Sequence, residues 1–306
     1  MALTKETPIQ RGQQVAEPKS SKDVREERKK QNRELASSPD PVNQYKPRKV
    51  VPADLSKPKG LSILNHGFKG VGKTFVSLLT PGTKTILSFD NVSDDTTAAY
   101  YDAGLADVLG EAVVYQEHMD EFDASEDNWR ETGTQCLANT LGLLHELQHA
   151  DEKPDIIIID GSQFLGEISE AAMRLKFKVG KYESFDNLGY WKFRKEKLLQ
   201  VLQYTERIAK RAVIFTAYVD KENKIPKYTG IIEERMLVVN RLDTVLMRDQ
   251  DGIPNGMRRN LNVLSSKRPK FLMTGDNFDL GDDAGRFAYA NTFNRYWGLD
   301  EVRQVR

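Results

Sequence analysis

The segment from Gly67 to Thr74, GFKGVGKT, combines three glycines with a lysine and a threonine at a spacing suited to phosphate binding. Gly67 is followed by four residues and then by Gly72, Lys73 and Thr74, which matches the pattern G-x-x-x-x-G-K-[ST]. In such a loop backbone N–H groups face phosphate oxygens, the lysine reaches the β- and γ-phosphates, and the threonine hydroxyl binds Mg²⁺. The sequence therefore predicts that ATP and Mg²⁺ are held by Gly67, Phe68, Lys69, Gly70, Val71, Gly72, Lys73 and Thr74.

Asp160 is the candidate for the second half of this site. It follows the run DIIII at 155–159, whose unbroken apolar character is typical of a strand buried on both faces. A phosphate-binding loop needs a carboxylate at the tip of a neighbouring strand to hold the metal, so Thr74 and Asp160 are the predicted metal ligands. The next residue is Gly161 rather than glutamate, which disfavours ATPases that place a water-activating glutamate beside this aspartate.

Short apolar runs alternate with longer helical patterns along the chain, and the strands and helices that they predict must position these residues. Strands are predicted at 61–64, 84–89, 112–115, 155–159, 212–216 and 244–247, with short ones near 261–264 and 270–273. Helices are predicted at 73–79, 134–149 and 192–210. This order is typical of an α/β domain with a mainly parallel sheet and helices on both faces. We expect the core at 59–275 and a C-terminal appendage at 276–306, whose role the sequence does not indicate.

The first 58 residues have a different composition, with seven of the twelve prolines and a single aromatic residue, Tyr45. Residues 1–50 carry twelve Lys/Arg against seven Asp/Glu, whereas the whole chain has a formal net charge of zero. Such a segment buries too little apolar surface to offset its ordering entropy, so disorder is expected for 1–58. A solvated tail and an arm that docks on a protein or nucleic-acid partner both remain open.

The bulk features favour a protein of the cytoplasm, or of the host cytoplasm if the chain is viral. The first residues, MALTKETPIQRGQQ, lack the apolar core of a secretory signal, and no apolar run reaches the length of a membrane span. The single cysteine, Cys136, excludes an internal disulfide framework. Zero net charge means that any binding of nucleic acid must depend on local basic patches.

Three segments around the loop resemble the core of RecA-type ATPases. They are ILSFDNVSDDTTAAYYDAGLADVLGEAVVYQ at 86–116, CLANTLGLLHELQHADEKPDIIIIDGSQFL at 136–165 and RAVIFTAYVDKE at 211–222. Within that superfamily the chain looks most similar to phage-type nucleotide-binding proteins, which include ATP-dependent single-strand annealing proteins. The resemblance implies a RecA-like P-loop fold, ATPase activity and assembly into homo-oligomers.

The resemblance also implies roles for particular residues. Lys73 and Asp160 would be catalytic, and Thr216 would take the position that senses the γ-phosphate. In RecA the catalytic glutamate lies two positions after an aspartate, and Asp90 matches that aspartate. The position of the glutamate is taken by Val92 in this chain. Asp90 itself, or Asp94 or Asp95 through a shifted loop, is left as the candidate base, and hydrolysis is expected to be slow or stimulated by a partner.

The segment LNVLSSKRPKF at 261–271 resembles a RecA strand whose lysines reach the γ-phosphate of the nucleotide bound to a neighbouring subunit. Lys267 matches one of these lysines. Ser265 occupies the place of a second such lysine. A solvated basic cluster of Lys267, Arg268 and Lys270 remains the alternative.

Two regions of this chain correspond to the loops that face DNA in RecA-type proteins, and both are rich in basic and aromatic residues. They are MRLKFKVGKYESFDNLGYWKFRK at 173–195 and VDKENKIPKYTGIIEER at 219–235. Lysines can neutralise phosphates and aromatic faces can stack on bases, although rings such as Phe177, Trp191 and Phe193 could instead belong to the core. The candidate nucleic-acid contacts are Lys176, Lys178, Lys181, Lys224, Lys227 and Tyr228.

Three functions follow from these observations. The first is an ATP-driven protein that acts on single-stranded DNA in recombination, annealing or replication. The second is a P-loop motor or switch for protein assembly or packaging, with the tail recruiting a protein partner. The third, a small-molecule kinase, is disfavoured because no Arg-rich lid follows the sensor region, although Arg235 and Arg241 keep it open.

Overall fold

The structure of the chain is a computed structural model. It describes Glu26 and residues 60–89, 93–116, 128–180, 183–184, 188–219, 239–248, 254–267 and 271–303. Residues 56–306 form one of the two compact units into which the chain divides, and all the described residues except Glu26 belong to it. The disorder expected for 1–58 therefore concerns residues that, apart from Glu26, lie outside the described ranges. Within those ranges, every helix falls short of the length or hydropathy of a membrane span.

A single sheet forms the centre of this unit. Its strands within the described residues are β1 Leu61–Gly67, β2 Lys84–Ser88, β3 Ala112–Tyr115, β4 Ile156–Asp160, β5 Ala212–Tyr218, β6 Val239–Arg248, β7 Pro254–Ser265 and β8 Asn277–Asp279. Their order is β3-β2-β4-β5-β1-β6-β7-β8. The first six strands in this order pair in parallel, whereas β7 and β8 pair antiparallel.

Helices cover both faces of the sheet. Those in the described residues are α1 Lys73–Leu78, α2 Ser93–Asp102, α3 Leu105–Leu109, α4 Trp129–His149, α5 Gln163–Phe177, α6 Leu188–Ile208 and α7 Asp283–Trp297. Because successive strand residues point to opposite faces, Ile156 and Ile158 pack with α1, α2, α3 and α7. Ile157 and Ile159 pack with α4, α5 and α6. The apolar run of β4 thus serves two cores at once.

The predicted α/β class, with a mainly parallel sheet and helices on both faces, is confirmed. The strand predicted at 270–273 is wrong over its described part, 271–273, where the chain turns. The turn closes because the Asp276 carboxylate accepts from the Met273 N–H at 2.7 Å and Gly275 adopts a φ of 97°. The next strand is β8, and α7 buries Tyr289 and Phe293 in the core, so residues 277–297 complete the sheet and one of its faces.

The parallel pairing brings four strand ends to one edge of the sheet. In its register Ser88 on β2 pairs with Asp160 on β4, and Asn65 on β1 pairs with Thr216 on β5. Ligands of open α/β sheets bind outside the carboxyl ends of the strands. The polar ends of β1, β2, β4 and β5 therefore define where a site can lie.

At the opposite edge, a buried lysine fastens the start of β2. The Lys84 ammonium donates to the carbonyls of Gly82 at 2.9 Å, Leu109 at 2.8 Å and Gly110 at 3.2 Å, and to the Tyr100 hydroxyl at 3.2 Å. These contacts tie β2 to α2 and to the end of α3. Burial lowers the pKa of Lys84 from 10.5 to about 7, although Asp155 acts in the opposite direction.

We expect stability to rise with pH above neutrality because of Lys84. The unfolded chain keeps this proton up to the ordinary lysine pKa, so it binds more protons than the folded chain between about pH 7 and pH 10. The free energy of unfolding should therefore increase by roughly 2 kcal/mol from about pH 7 to pH 9. Urea unfolding at these pH values should show this rise in the wild type and not in Lys84→Met; parallel profiles for the two proteins would contradict it.

Candidate nucleotide-binding site

The segment after β1 forms a loop that glycine alone suits at two positions. Gly70 and Gly72 have φ angles of 80° and 90°, which side-chain-bearing residues rarely adopt. A Cβ at Gly72 would also lie 2.0 Å from the Arg259 Nε. Strand β1 precedes the loop and α1 begins at Lys73, so the strand and helix required by the phosphate-loop pattern are both present.

Lys73 crosses this loop. Its ammonium donates to the Phe68 carbonyl at 2.9 Å and lies 4.4 Å from the centroid of the Tyr218 ring, and the side chain is buried. Its backbone is fixed as well, because the Asn65 amide donates to the Lys73 carbonyl at 3.1 Å. The Thr244 hydroxyl in turn donates to the Asn65 side-chain oxygen at 2.6 Å. The lysine charge is therefore held inside the loop by the two strands beneath it.

Three hydroxyl groups converge on the carboxylate of Asp160. The Thr74 and Ser93 hydroxyls donate to Oδ2 at 2.8 and 2.6 Å, and the Thr216 hydroxyl donates to Oδ1. Asp160 is buried, with an exposed fraction of 2%. The fold thus brings Thr74, Asp160 and Thr216, which the sequence placed in one site, to one point although Thr74 and Asp160 are 86 positions apart.

A second layer of hydrogen bonds fixes this cluster. The Ser88 and Ser93 hydroxyls lie 2.6 Å apart, and the Phe89 N–H donates to the Asp160 carbonyl at 2.9 Å. The Gly161 N–H donates to the Thr216 hydroxyl at 2.9 Å. The tips of β2, β4 and β5 are therefore bonded to one another around the carboxylate.

These donor atoms fit the predicted Mg²⁺. A hard cation takes oxygen ligands, and Mg²⁺ in phosphate-transferring sites is held by one or two carboxylates together with phosphates and waters. One buried carboxylate and the Thr74 hydroxyl supply such a set. The described residues contain no cluster of three His, Cys, Asp or Glu suited to a metal.

His66 lies beneath the loop, next to its first glycine. The ring is buried, and its Nδ1 is 3.6 Å from the Asp243 carboxylate. Burial, followed by the charges of Arg241 and Lys73, lowers the pKa of His66 from 6.5 to about 4. The imidazole is therefore neutral at physiological pH and adds no charge to that of Lys73.

Other predicted catalytic residues lie elsewhere or outside the described ranges. Asp94 and Asp95 are exposed in the first turn of α2, while Asp90 lies outside the described residues. Lys267 follows β7 at the edge of the sheet away from the loop, where its N–H donates to the Asn240 side chain at 3.1 Å. Its expected contact with the nucleotide of a neighbouring subunit stays a prediction.

The described nucleic-acid candidates lie at the end of α5. Lys176 and Lys178 are both exposed, and the Lys176 ammonium lies 4.2 Å from the centroid of the Phe193 ring. The Phe177 ring stacks on Tyr190 with 4.3 Å between centroids. Phe177 and Phe193 thus contact other side chains and are partly buried. The remaining candidates lie outside the described residues: Lys181, Lys224, Lys227 and Tyr228.

Three residues of the site were not predicted. Tyr218 is the last residue of β5, and Ser93 begins the helix that follows β2. A search for polar or aromatic residues at the ends of the buried strands, and in the segments that follow them, would have found both. Arg259 contacts the loop from β7, with its Nε donating to the Val71 carbonyl at 2.8 Å. No sequence signal identifies Arg259, because its position depends on the pairing of β7 with β6.

No family model matches the chain, and no curated protein is significantly similar to it.

Proposed function

We propose that this chain is a RecA-like ATPase that binds ATP and Mg²⁺ at the loop 67–74 and acts on single-stranded DNA. The observation that carries the nucleotide part is the 2.8 Å hydrogen bond between the Thr74 hydroxyl and the Asp160 carboxylate. It joins the end of a phosphate-binding loop to an acid at the tip of a parallel strand, with the loop lysine already turned across the loop.

Each side chain has a separate task in this proposal. When bound, MgATP supplies the transferable γ-phosphoryl group and the charge that the cation neutralises. Lys73 offers its positive charge to the β- and γ-phosphates, and Thr74 and Asp160 hold the cation. Thr216 links Asp160 to the end of β5, so a change at the γ-phosphate can be passed along that strand. The base stays open between Asp90, which lies outside the described residues, and the exposed Asp94 and Asp95, and slow or partner-stimulated turnover is expected.

Direct binding measurements test the nucleotide part of the proposal. Calorimetric titration of the purified protein with ATP should give one site per chain, with tighter binding when Mg²⁺ is present. Release of inorganic phosphate should be slow in the protein alone. Absence of ATP binding at any Mg²⁺ concentration would reject the proposal.

The proposed DNA contact is supported by its connection to the site. Helix α5 begins three residues after Asp160 and ends beside Lys176 and Lys178. A rigid helix therefore links the acid that holds the cation to two exposed positive charges. Such a connection lets a nucleotide-dependent shift at β4 alter how the lysines meet a phosphate backbone.

We expect the double variant Lys176→Gln/Lys178→Gln to weaken binding to single-stranded DNA. Each lysine that contacts a phosphate releases a counterion, so the slope of log affinity against log salt should fall by about 0.7 per lysine. Filter binding over a range of salt concentrations, with and without ATP, measures this slope. Lys210→Gln, which changes an exposed lysine before β5, is the control. Equal slopes in the double variant and wild type would contradict the DNA contact.

One observation favours the second function, a motor or switch for protein assembly. Leu188 and Trp191, at the start of α6, are 84% and 44% exposed. Because they are three residues apart on one helix, these two side chains are neighbours and form a small apolar surface that a protein partner could cover. ATP-dependent oligomers that ignore single-stranded DNA, measured by light scattering, would support this function over the first.

A further inference from the structure

Ser93 carries a buried hydroxyl at the first position of α2, outside the phosphate loop. Its Oγ donates to the Asp160 Oδ2 at 2.6 Å, and the exposed fraction of the residue is 0%. The other two hydroxyls on this carboxylate come from α1, through Thr74, and from β5, through Thr216. Ser93 therefore brings a third element of the fold to the acid.

Further hydrogen bonds fix the direction of the Ser93 hydroxyl. The Ser88 Oγ lies 2.6 Å from the Ser93 Oγ. Because the single proton of the Ser93 hydroxyl goes to Asp160, the proton in this second bond comes from Ser88. One turn further along α2, the Thr97 hydroxyl donates to the Ser93 carbonyl at 2.6 Å. A chain of hydroxyls thus leads from β2 through Ser93 to the acid, and the bonds in such a chain strengthen one another.

The carboxylate of Asp160 is met by hydroxyls alone in the described part of the chain. Two of them donate to Oδ2 and one to Oδ1, and Asp160 forms no ion pair with a described residue. Buried charges in proteins are normally paired or bound to a metal. A carboxylate has about four acceptor positions, two on each oxygen, so the three hydroxyls leave about one, on Oδ1. That position can accept a cation or a water bound to the cation.

We propose that Ser93 is a positioning residue for the cation, and this inference rests on the proposed binding of MgATP. Ser93 and Thr216 hold opposite oxygens of Asp160, so the plane of the carboxylate is set before a cation arrives. Ser93 acts on the cation through Asp160 and makes no contact with the nucleotide. Loss of a partner that orients a metal-binding carboxylate typically costs ten- to a hundredfold in metal affinity or activity.

The variant Ser93→Ala should change how ATP binding depends on Mg²⁺. The Mg²⁺ concentration that gives half of the strengthening of ATP binding should rise by about ten- to a hundredfold. Binding of ATP without Mg²⁺ should stay as in wild type, because Ser93 contacts the acid and not the phosphates. Calorimetric titration with ATP at a series of Mg²⁺ concentrations measures both quantities and does not depend on hydrolysis.

A matched control lies one turn further along the same helix. Thr97 is also buried, but its hydroxyl donates to the backbone of Ser93 and not to Asp160. Thr97→Val keeps the shape of the side chain and removes this hydroxyl. It should leave the Mg²⁺ dependence of ATP binding as in wild type, whatever its effect on the midpoint of unfolding. If Thr97→Val shifted the Mg²⁺ dependence as far as Ser93→Ala does, loosening of α2 would explain both, and Ser93 would have only a structural role.

A double variant tests whether Ser93 acts through Asp160. In Asp160→Asn the charge that Ser93 orients is gone, so Ser93→Ala/Asp160→Asn should bind ATP as Asp160→Asn alone does at every Mg²⁺ concentration. Residues that act as one unit give such non-additive effects, whereas independent residues give effects that add. Additive losses in the double variant would overturn the inference.

The remaining outcomes separate the inference from the function beneath it. A wild-type Mg²⁺ dependence in Ser93→Ala, or an equal loss of ATP affinity with and without Mg²⁺, would overturn the positioning role and leave the ATP site standing. If Ser93→Ala does not fold, Ser88→Ala removes the hydroxyl that donates to Ser93 and should shift the Mg²⁺ dependence in the same direction; no shift there would overturn the inference. Failure of the wild-type protein to bind ATP at all would reject the proposed function itself.

Discussion

Replacement of Lys73 by alanine is expected to weaken ATP binding by about a hundredfold and to abolish measurable hydrolysis. The ammonium is the buried cation that crosses the phosphate loop. Charge-assisted hydrogen bonds contribute about 1.5–3 kcal/mol each, and an ammonium at the β- and γ-phosphates makes more than one. Calorimetric titration with MgATP and a phosphate-release assay measure the two effects.

The same substitution should not weaken the fold. The Lys73 charge is buried in the free protein, where desolvation offsets much of what its contacts with Phe68 and Tyr218 contribute. Thermal unfolding without nucleotide should therefore give an unchanged or higher midpoint for Lys73→Ala, whereas the rise in midpoint caused by MgATP in wild type should disappear. Lys210→Ala controls for the loss of one positive charge. Undiminished ATP affinity in Lys73→Ala would refute the whole assignment of the loop.

The parts of the site that the sequence revealed share one property: each lies near the carboxyl end of a buried strand. Thr74 follows the loop after β1, Asp160 ends β4 after four isoleucines, and Thr216 lies in the apolar run of β5. Because parallel strands place their carboxyl ends at one edge, the local patterns at Thr74 and Asp160 predict that these two residues meet. Thr216 is added through the resemblance of 211–222 to RecA-type ATPases, and no local pattern indicates it.

The parts that the sequence did not reveal depend on pairings between distant residues. Arg259 reaches the loop because β7 turns back along β6, in a register that shifts between Leu246 and Arg248. Neither the register nor the shift has a local pattern. The strand predicted at 270–273 is wrong at 271–273 for a local reason, since Leu272 is apolar and buried but comes just before a turn that Asp276 closes. An apolar residue in the sequence predicts a buried side chain, but it does not predict whether the backbone there is a strand or a turn.

Replacement of Asp160 by asparagine is expected to reduce hydrolysis by about a thousandfold or more. The substitution keeps the size of the side chain but removes the negative charge that we propose holds the cation, and such a cation supplies several kcal/mol to the transition state. Binding of ATP without Mg²⁺ should be unchanged or tighter, because a carboxylate near the phosphates is lost. The strengthening of ATP binding by Mg²⁺ should disappear, and titrations at several Mg²⁺ concentrations measure it.

The strand itself provides the control for that experiment. Asp155 precedes β4 at its other end, where it accepts from the Thr83 N–H at 3.2 Å and pairs with Arg211 at 3.4 Å. Asp155→Asn should lower the midpoint of unfolding and leave the Mg²⁺ dependence of ATP binding as in wild type. Asp160→Asn should leave the midpoint of unfolding unchanged and remove the Mg²⁺ dependence of ATP binding. The midpoint is kept because an asparagine still offers an oxygen and an amide to the hydroxyls of Thr74, Ser93 and Thr216. If both variants had a lower midpoint of unfolding and kept the Mg²⁺ dependence of ATP binding, Asp160 would have only a structural role, and the cation would have to be held elsewhere.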